Sequence, residues 1–142
     1  MNGYLVDTNV PSELTREAPD IRVAAFLENA GRERVFLSVM TIGEICKGID
    51  MLPVGQQRND LQRWLDRDVR LWFAGRILPV TESIAERWSR LAARGKRSGV
   101  TLAVVDGVLA ATALEHGLTL VTRNVRDFVG LGLALLNPWD SA

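Results

Sequence analysis

The chain holds one cysteine and one histidine in 142 residues. A lone Cys46 excludes an internal disulfide and, set in an apolar-periodic segment, fits a reduced cytoplasm better than thiol catalysis. His116 falls at the expected end of a helix, where capping is the commoner role. Net charge is also missing, because 17 basic and 17 acidic residues cancel. No overall positive field therefore draws the chain onto nucleic acid, and any such contact must come from a local cluster. The N-terminus has no basic region followed by a long apolar stretch, so no secretory signal is expected and the expected setting is the cytoplasm. The most apolar run, residues 100–114, is broken by Asp106 and falls short of the ~20 residues that span a bilayer, so it reads as core and no membrane is expected. Internal repeats and low-complexity segments are absent. The length matches a single domain over residues 1–142, able to bury a core without disulfides or a structural metal.

What is there is an alternation of short apolar runs with helical patterns. Tyr4-Leu-Val ends abruptly in Asp7, as a buried parallel strand does when it delivers a carboxylate to the edge of a sheet. Thr8 is expected to cap a short helix through Pro11 and Leu14. A clearer helix opens at Asp20, with Ile21, Ala24, Phe26, Leu27 and Ala30 inward and Gly31 at its end. Residues 34–38 read as a strand, and a helix from Thr41 reaches about Leu52 before Pro53. An amphipathic helix follows over about 56–73 and stops at Gly75. A third strand spans 77–80. Thr81 then caps a helix with Ile84, Trp88, Leu91 and Ala92 inward, which gives way to a flexible basic link over 94–99. Asp106 is expected to begin a helix over 107–116, followed by a strand at 118–122, a single turn at 123–128 and a last strand near 133–136. Strands alternating with helices predict an α/β fold, a central parallel sheet of four to five strands with helices on both faces.

Side-chain oxygens fall near a strand end or a helix start at four places: Asp7, Glu44, Asp106, and Asn124 with Asp127. Each has a purely structural explanation. Asp7 could form an Asx turn, Thr41-x-x-Glu44 fits a capping box, Asp106 could be an N-cap, and Asn124 and Asp127 favour turns. Asp106 is the most informative, because it is the single charge in the apolar run and burying an unpaired carboxylate is expensive. Taken together, these carboxylates repel one another unless a cation lies between them, and oxygen-only ligands select magnesium or manganese. Such an ion can lower the pKa of a water to make a nucleophile and stabilise charge on a phosphodiester, with no need of histidine or cysteine.

The segments LVDTNV with Asp7, LSVMTIGEICKGI with Glu44, FAGRILPV, VVDGVLAATALEHGLTLVTRN with Asp106 and Asn124, and the ending NPW resemble the PIN-domain nucleases. Within them, the sequence is most similar to the VapC-like toxins of type II toxin-antitoxin pairs, FitB type included. The likeness covers nearly the whole chain in order and spacing. It implies a PIN-like fold in which Asp7, Glu44 and Asp106 surround magnesium, with manganese able to substitute. The position of Asn124 is aspartate in some members and asparagine in others, and three carboxylates neutralise less cation charge than four. Asp127 could contribute through a water, and Thr122 matches a hydroxyl that orients a phosphate or a ligand water.

The resemblance further implies an endoribonuclease using a metal-activated water on a structured RNA such as a transfer RNA, with Asp7, Glu44, Asp106, Asn124 and Thr122 as catalytic residues. It implies a homodimer and a VapB-like antitoxin that wraps the toxin with a helix, operator DNA being reached only through that antitoxin. Trp64, Trp72 and Phe73 could form part of its groove or of the dimer contact, or be ordinary core. Arg94, Lys96, Arg97, Arg123 and Arg126 lie nearest the site in sequence and could hold a phosphate backbone. Two rivals stay open. One is a catalytically weak PIN-fold module that occupies operator DNA with its antitoxin, motivated by Asn124 and the zero net charge. The other is a phosphotransfer enzyme or phosphoacceptor domain with Asp7 as nucleophile, which leaves Glu44 and Asp106 without a clear role.

Overall fold

Leu5 and Val6 are wholly buried and point to opposite faces, as successive strand residues must, so one strand seeds two cores. That strand is Tyr4–Val6 (β1). It pairs on one side with Val35–Ser38 (β2) and on the other with Thr119–Val121 (β4). Ile77–Leu78 (β3) and Leu135–Leu136 (β5) form the edges, giving the order β3-β2-β1-β4-β5 with every pairing parallel. The computed structural model describes residues 3–140, so the four terminal positions of the expected 1–142 domain lie outside it.

Helices cover both faces, as expected for a parallel sheet. Against the Val6 face lie Asn9–Glu13 (α1), Ile21–Ala30 (α2), Val39–Asp50 (α3) and Gln56–Arg63 (α4), followed without a break by a π-helical turn over Trp64–Val69 and by Arg70–Trp72 (α5). Against the Leu5 face lie Glu82–Arg97 (α6) and Val104–His116 (α7). Among the described residues no helix is long and apolar enough to cross a membrane. The chain lays down β1, β2 and β3 in one direction and then returns to the far side of β1 for β4 and β5. The reversal falls between β1 and β4, the place where open α/β sheets leave a crevice at their carboxyl edge.

Several local expectations are corrected. The helix carrying Glu44 starts at Val39, not Thr41, because Ser38 leaves the strand extended and its Oγ accepts from the Met40 N–H at 3.0 Å. No capping box forms, and Thr41 lies inside the helix, buried, its hydroxyl without a partner among the described residues. Helix α7 starts at Val104 with Ala103 before it, so Asp106 stands in the first turn rather than at the cap. The expected flexible link is helical through Arg97, and the chain turns only at Gly99, with φ 80°. In α2 the inner face is Val23 and Ala30 with Phe26 and Leu27, while Ile21 is 81% exposed at the helix start. The wider π turn likewise aligns Leu65, Val69 and Phe73 inward and leaves Leu71 outside.

Glycine at 107 is required by how α7 meets α6. A Cβ there would lie 2.6 Å from Trp88 Cδ1 and 3.1 Å from Leu102 Cδ2. Helix propensity alone would reward Gly107→Ala by ~1 kcal/mol. Overpacking against a half-buried indole opposes this by about 1–3 kcal/mol. The expected outcome in urea unfolding is a net loss of stability, and a variant as stable as the parent would mean that the indole moves aside.

Candidate active site

Asp7 is the first residue past β1, and its backbone N–H continues the ladder by donating to Val121 O at 2.9 Å. The carboxylate is therefore anchored beside the end of β4. It is buried, and both oxygens are held: Oδ1 accepts from the Thr8 N–H at 2.7 Å and Oδ2 from the Thr122 hydroxyl at 2.9 Å. Thr122 in turn accepts from the Asn124 N–H at 3.1 Å and from the Asn9 side-chain amide at 3.4 Å. Asn9 Oδ1 accepts from the Arg123 N–H at 3.3 Å. The loops after β1 and β4 are thus stitched together across the crevice. Burial pushes the Asp7 carboxyl up, the bonds from Thr122 and Thr8 oppose that, and the charge of Asp127 adds to it.

Glu44 is delivered by α3. Its Oε1 accepts from the Thr8 hydroxyl at 2.6 Å, so the threonine expected to cap α1 instead joins two acidic residues, its N–H on Asp7 and its hydroxyl on Glu44. Asp106 comes from the first turn of α7, which packs on the other face. Its carboxyl is pushed up to about 6, first by burial and then by the charges of Asp7, Asp127 and Glu44. Four carboxylates far apart in sequence therefore share one field. Asp127, exposed on the 3-10 turn Val125–Phe128, is part of it through electrostatics. Asn124 is exposed, and among the described residues its side chain makes no hydrogen bond. His116 closes the opposite end of α7.

Sequence reasoning brought together Asp7, Glu44, Asp106, Thr122, Asn124 and Asp127, and it missed Thr8 and Asn9. Both lie in the DTN motif, and that adjacency to Asp7 was the available signal. Among the described residues no three acidic, histidine or cysteine side chains stand together as a ready-made ion cage. By chemistry the donors nonetheless fit a hard divalent cation, since all are oxygens, and burial together with the charges of its acidic neighbours already raises Asp106. Nearby, an apolar groove of about 530 Å³ is lined by Val10, Leu14, Leu27, Trp64 and Trp72, with Phe73 buried in its wall. Arg32 and Arg76 lie over the Trp72 ring and donate to its carbonyl.

A carboxyl whose folded pKa exceeds its unfolded value holds its proton more tightly when folded. The stability this confers is complete below the unfolded value of 3.8 and is lost as pH rises through about 6. Asp20, Glu13 and Glu115 act the other way, their pKa values lowered mainly by bonds from Arg22, the Asp20 N–H and Arg87 respectively. Comparison with Asp106→Asn isolates the one group. In EDTA the variant should melt above the parent at about pH 7, and the gap should close toward about pH 4. A constant gap would mean that folding does not raise the Asp106 pKa.

The PIN domain family matches residues 4–130. Toxin FitB of Neisseria gonorrhoeae (strain ATCC 700825 / FA 1090) is 39% identical over 135 residues, covering 95% of this chain and 97% of the relative. VapC ribonuclease Y4jK of Sinorhizobium fredii (strain NBRC 101917 / NGR234) is 36% identical, covering 97% and 99%. A solved structure of FitAB bound to an IR36 DNA fragment superposes with a TM-score of 0.90 at 37% identity, covering 98% of this chain and 97% of that one. With its acidic strand-end crevice and its five-stranded parallel sheet, the chain belongs to the PIN domain family, in the branch that holds toxin FitB and VapC ribonuclease Y4jK.

Proposed function

We propose that this protein is a divalent-cation-dependent endoribonuclease serving as the toxin of a type II toxin-antitoxin pair. The observation that carries this reading is the shared field of Asp7, Glu44, Asp106 and Asp127 at the switch point of the sheet. Asp7, Glu44 and Asp106 would hold magnesium, or manganese in its place, with Asp127 behind them through a water. When bound, such an ion supplies Lewis acidity and offsets the charge of a phosphodiester.

The chain's own residues prepare that place. Thr8 and Thr122 hold the two Asp7 oxygens, so the carboxylate cannot swing away, and Thr8 also aims Glu44. Asn124, positioned through its backbone bond to Thr122, has an amide free to donate to a phosphate oxygen. Arg94, Lys96 and Arg97 on the last turn of α6, and Arg123 and Arg126 after β4, are exposed and form no ion pair among the described residues. They are available to phosphates along an RNA backbone.

Similarity to toxin FitB and to a VapC ribonuclease supports the toxin role and RNA as substrate, with a structured species such as transfer RNA proposed. The partner is a VapB-like antitoxin. The apolar groove beside Trp64 and Trp72 suits one face of its helix, and likeness to a DNA-bound FitAB supports operator DNA being reached through that partner. A homodimer in the cytoplasm completes the proposal.

Purified, antitoxin-free protein is expected to cut a transfer-RNA pool in magnesium and in manganese but not in EDTA. Thr122→Val, which acts through Asp7, should slow cleavage about 10–100-fold, and Asp7→Asn and Asp106→Asn should slow it further. Undiminished cleavage by either aspartate variant would refute the site. No cleavage by folded parent, with DNA binding by the toxin-antitoxin pair, would favour a non-cleaving operator-binding module.

A further inference from the structure

Beside the acidic cluster, α1, α3 and α4 leave a second groove, of about 360 Å³. Thr8 and Glu44 belong to its lining, so groove and cluster are continuous. Ser12 and Gln57 bring a hydroxyl and an amide, and among the described residues neither side chain has a hydrogen-bond partner. Thr8 donates to Glu44 and keeps its acceptor lone pairs. Trp64, half-buried, supplies an aromatic ring, and the remaining walls are mainly aliphatic. Among the described residues no lysine, arginine or histidine lines the groove.

Gly48 is the residue that keeps it open. Glycine inside a helix is unfavourable relative to alanine, yet a Cβ at this position of α3 would meet no atom within 4 Å. Packing therefore does not demand the glycine. Because Gly48 lines the groove, any larger side chain would take up part of its volume. Trp64 also begins the π-helical turn, a widening of the kind often found at functional places.

With no cation in its lining and Glu44 at hand, the groove rejects phosphate. An aromatic ring with neutral donors and acceptors among aliphatic walls is the chemistry that holds an unpaired base, by stacking on its face and bonding to its edge. The volume lies near the lower end of the range for small-molecule pockets, about 300–1,000 Å³, which suits one nucleoside. Resting on the nuclease reading above, we propose that this groove receives one unpaired base of the RNA, adjoining the phosphodiester at the acidic cluster, and sets the base preference of cleavage.

The test uses Gly48→Leu, whose Cβ meets no atom within 4 Å and whose side chain takes up groove volume, and Gln57→Ala, which alters an exposed side chain and should leave the fold intact. A randomised single-stranded RNA pool is cut in magnesium and scored for base identity around the cut. The parent should show a preference at one neighbouring position, and Gly48→Leu should lose about tenfold of it or more, with KM affected more than kcat. Separately, four RNA trinucleotides differing in the central base are titrated into the protein in EDTA and followed by NMR at the Trp64 indole. One should bind best, and Gly48→Leu should weaken it about tenfold or more.

Cleavage with an unaltered preference in both variants overturns the groove assignment and leaves the nuclease reading standing. If the parent does not cut RNA, that reading fails and the trinucleotides decide the groove. Weakening by Gly48→Leu then supports it, whereas unchanged or undetectable binding overturns it. Loss of antitoxin binding by Gly48→Leu with RNA handling untouched would assign the groove to the protein partner and also overturn the proposal.

Discussion

Repulsion among like charges is the constraint to which the rest of this molecule answers. Four carboxylates share one field at the edge of a sheet, and burial first, with the charges of the other three added to it, pushes Asp106 up to about 6. Such an arrangement persists only where other interactions over-determine it. Here they are the central pairing of β1 with β4, the two bonds on Asp7, and the packing of α7 over the sheet. The extended geometry of Ser38 and the glycine beneath Trp88 serve the same end, since each decides where a helix bearing an acidic residue can lie.

The C-terminal segment braces this centre from outside. Trp139 is buried on a short 3-10 turn, Arg123 lies over its ring at 5.3 Å, and the Asn137 amide donates to the Arg123 carbonyl. Glu13, also buried, accepts from the Asp20 N–H at 2.9 Å and so ties the loop that leads into α2. The loop that follows β4 is therefore held from both sides, by Asn9 toward β1 and by Asn137 and Trp139 toward the end of the chain.

Much of this was legible from residue order. Apolar runs ending in Asp7 and Thr122, separated by helical periodicities, are enough to give an alternating α/β chain, and the isolated charge in residues 100–114 pointed to Asp106 as a site residue. What was not legible depends on contacts across long sequence separations. Thr8 looked like a cap because threonine before a short helix usually is one, yet its hydroxyl finds Glu44, 36 residues away. Thr41-x-x-Glu44 has the spacing of a capping box, but Ser38 was already placed to cap as the strand ended. The basic segment over 94–99 contains two glycines and reads as mobile. Packing of α6 on α7 instead carries the helix to Arg97. The π turn left no local mark, and it rotated the inward stripe of its helix away from Leu71.

The bond between Thr122 and Asp7 joins residues 115 positions apart, and the strand that brings Thr122 there is the fourth of five. A chain emerging from the ribosome carries Asp7 and Glu44 early, but the centre cannot close until β4 has been made and has paired beside β1. Contacts of such long sequence range are among the last to form and among the costliest in loop entropy. The order of synthesis thus delays the centre: until β4 is in place, Asp7 lacks both its ladder partner at Val121 and the Thr122 hydroxyl, and the acidic crevice is not yet formed.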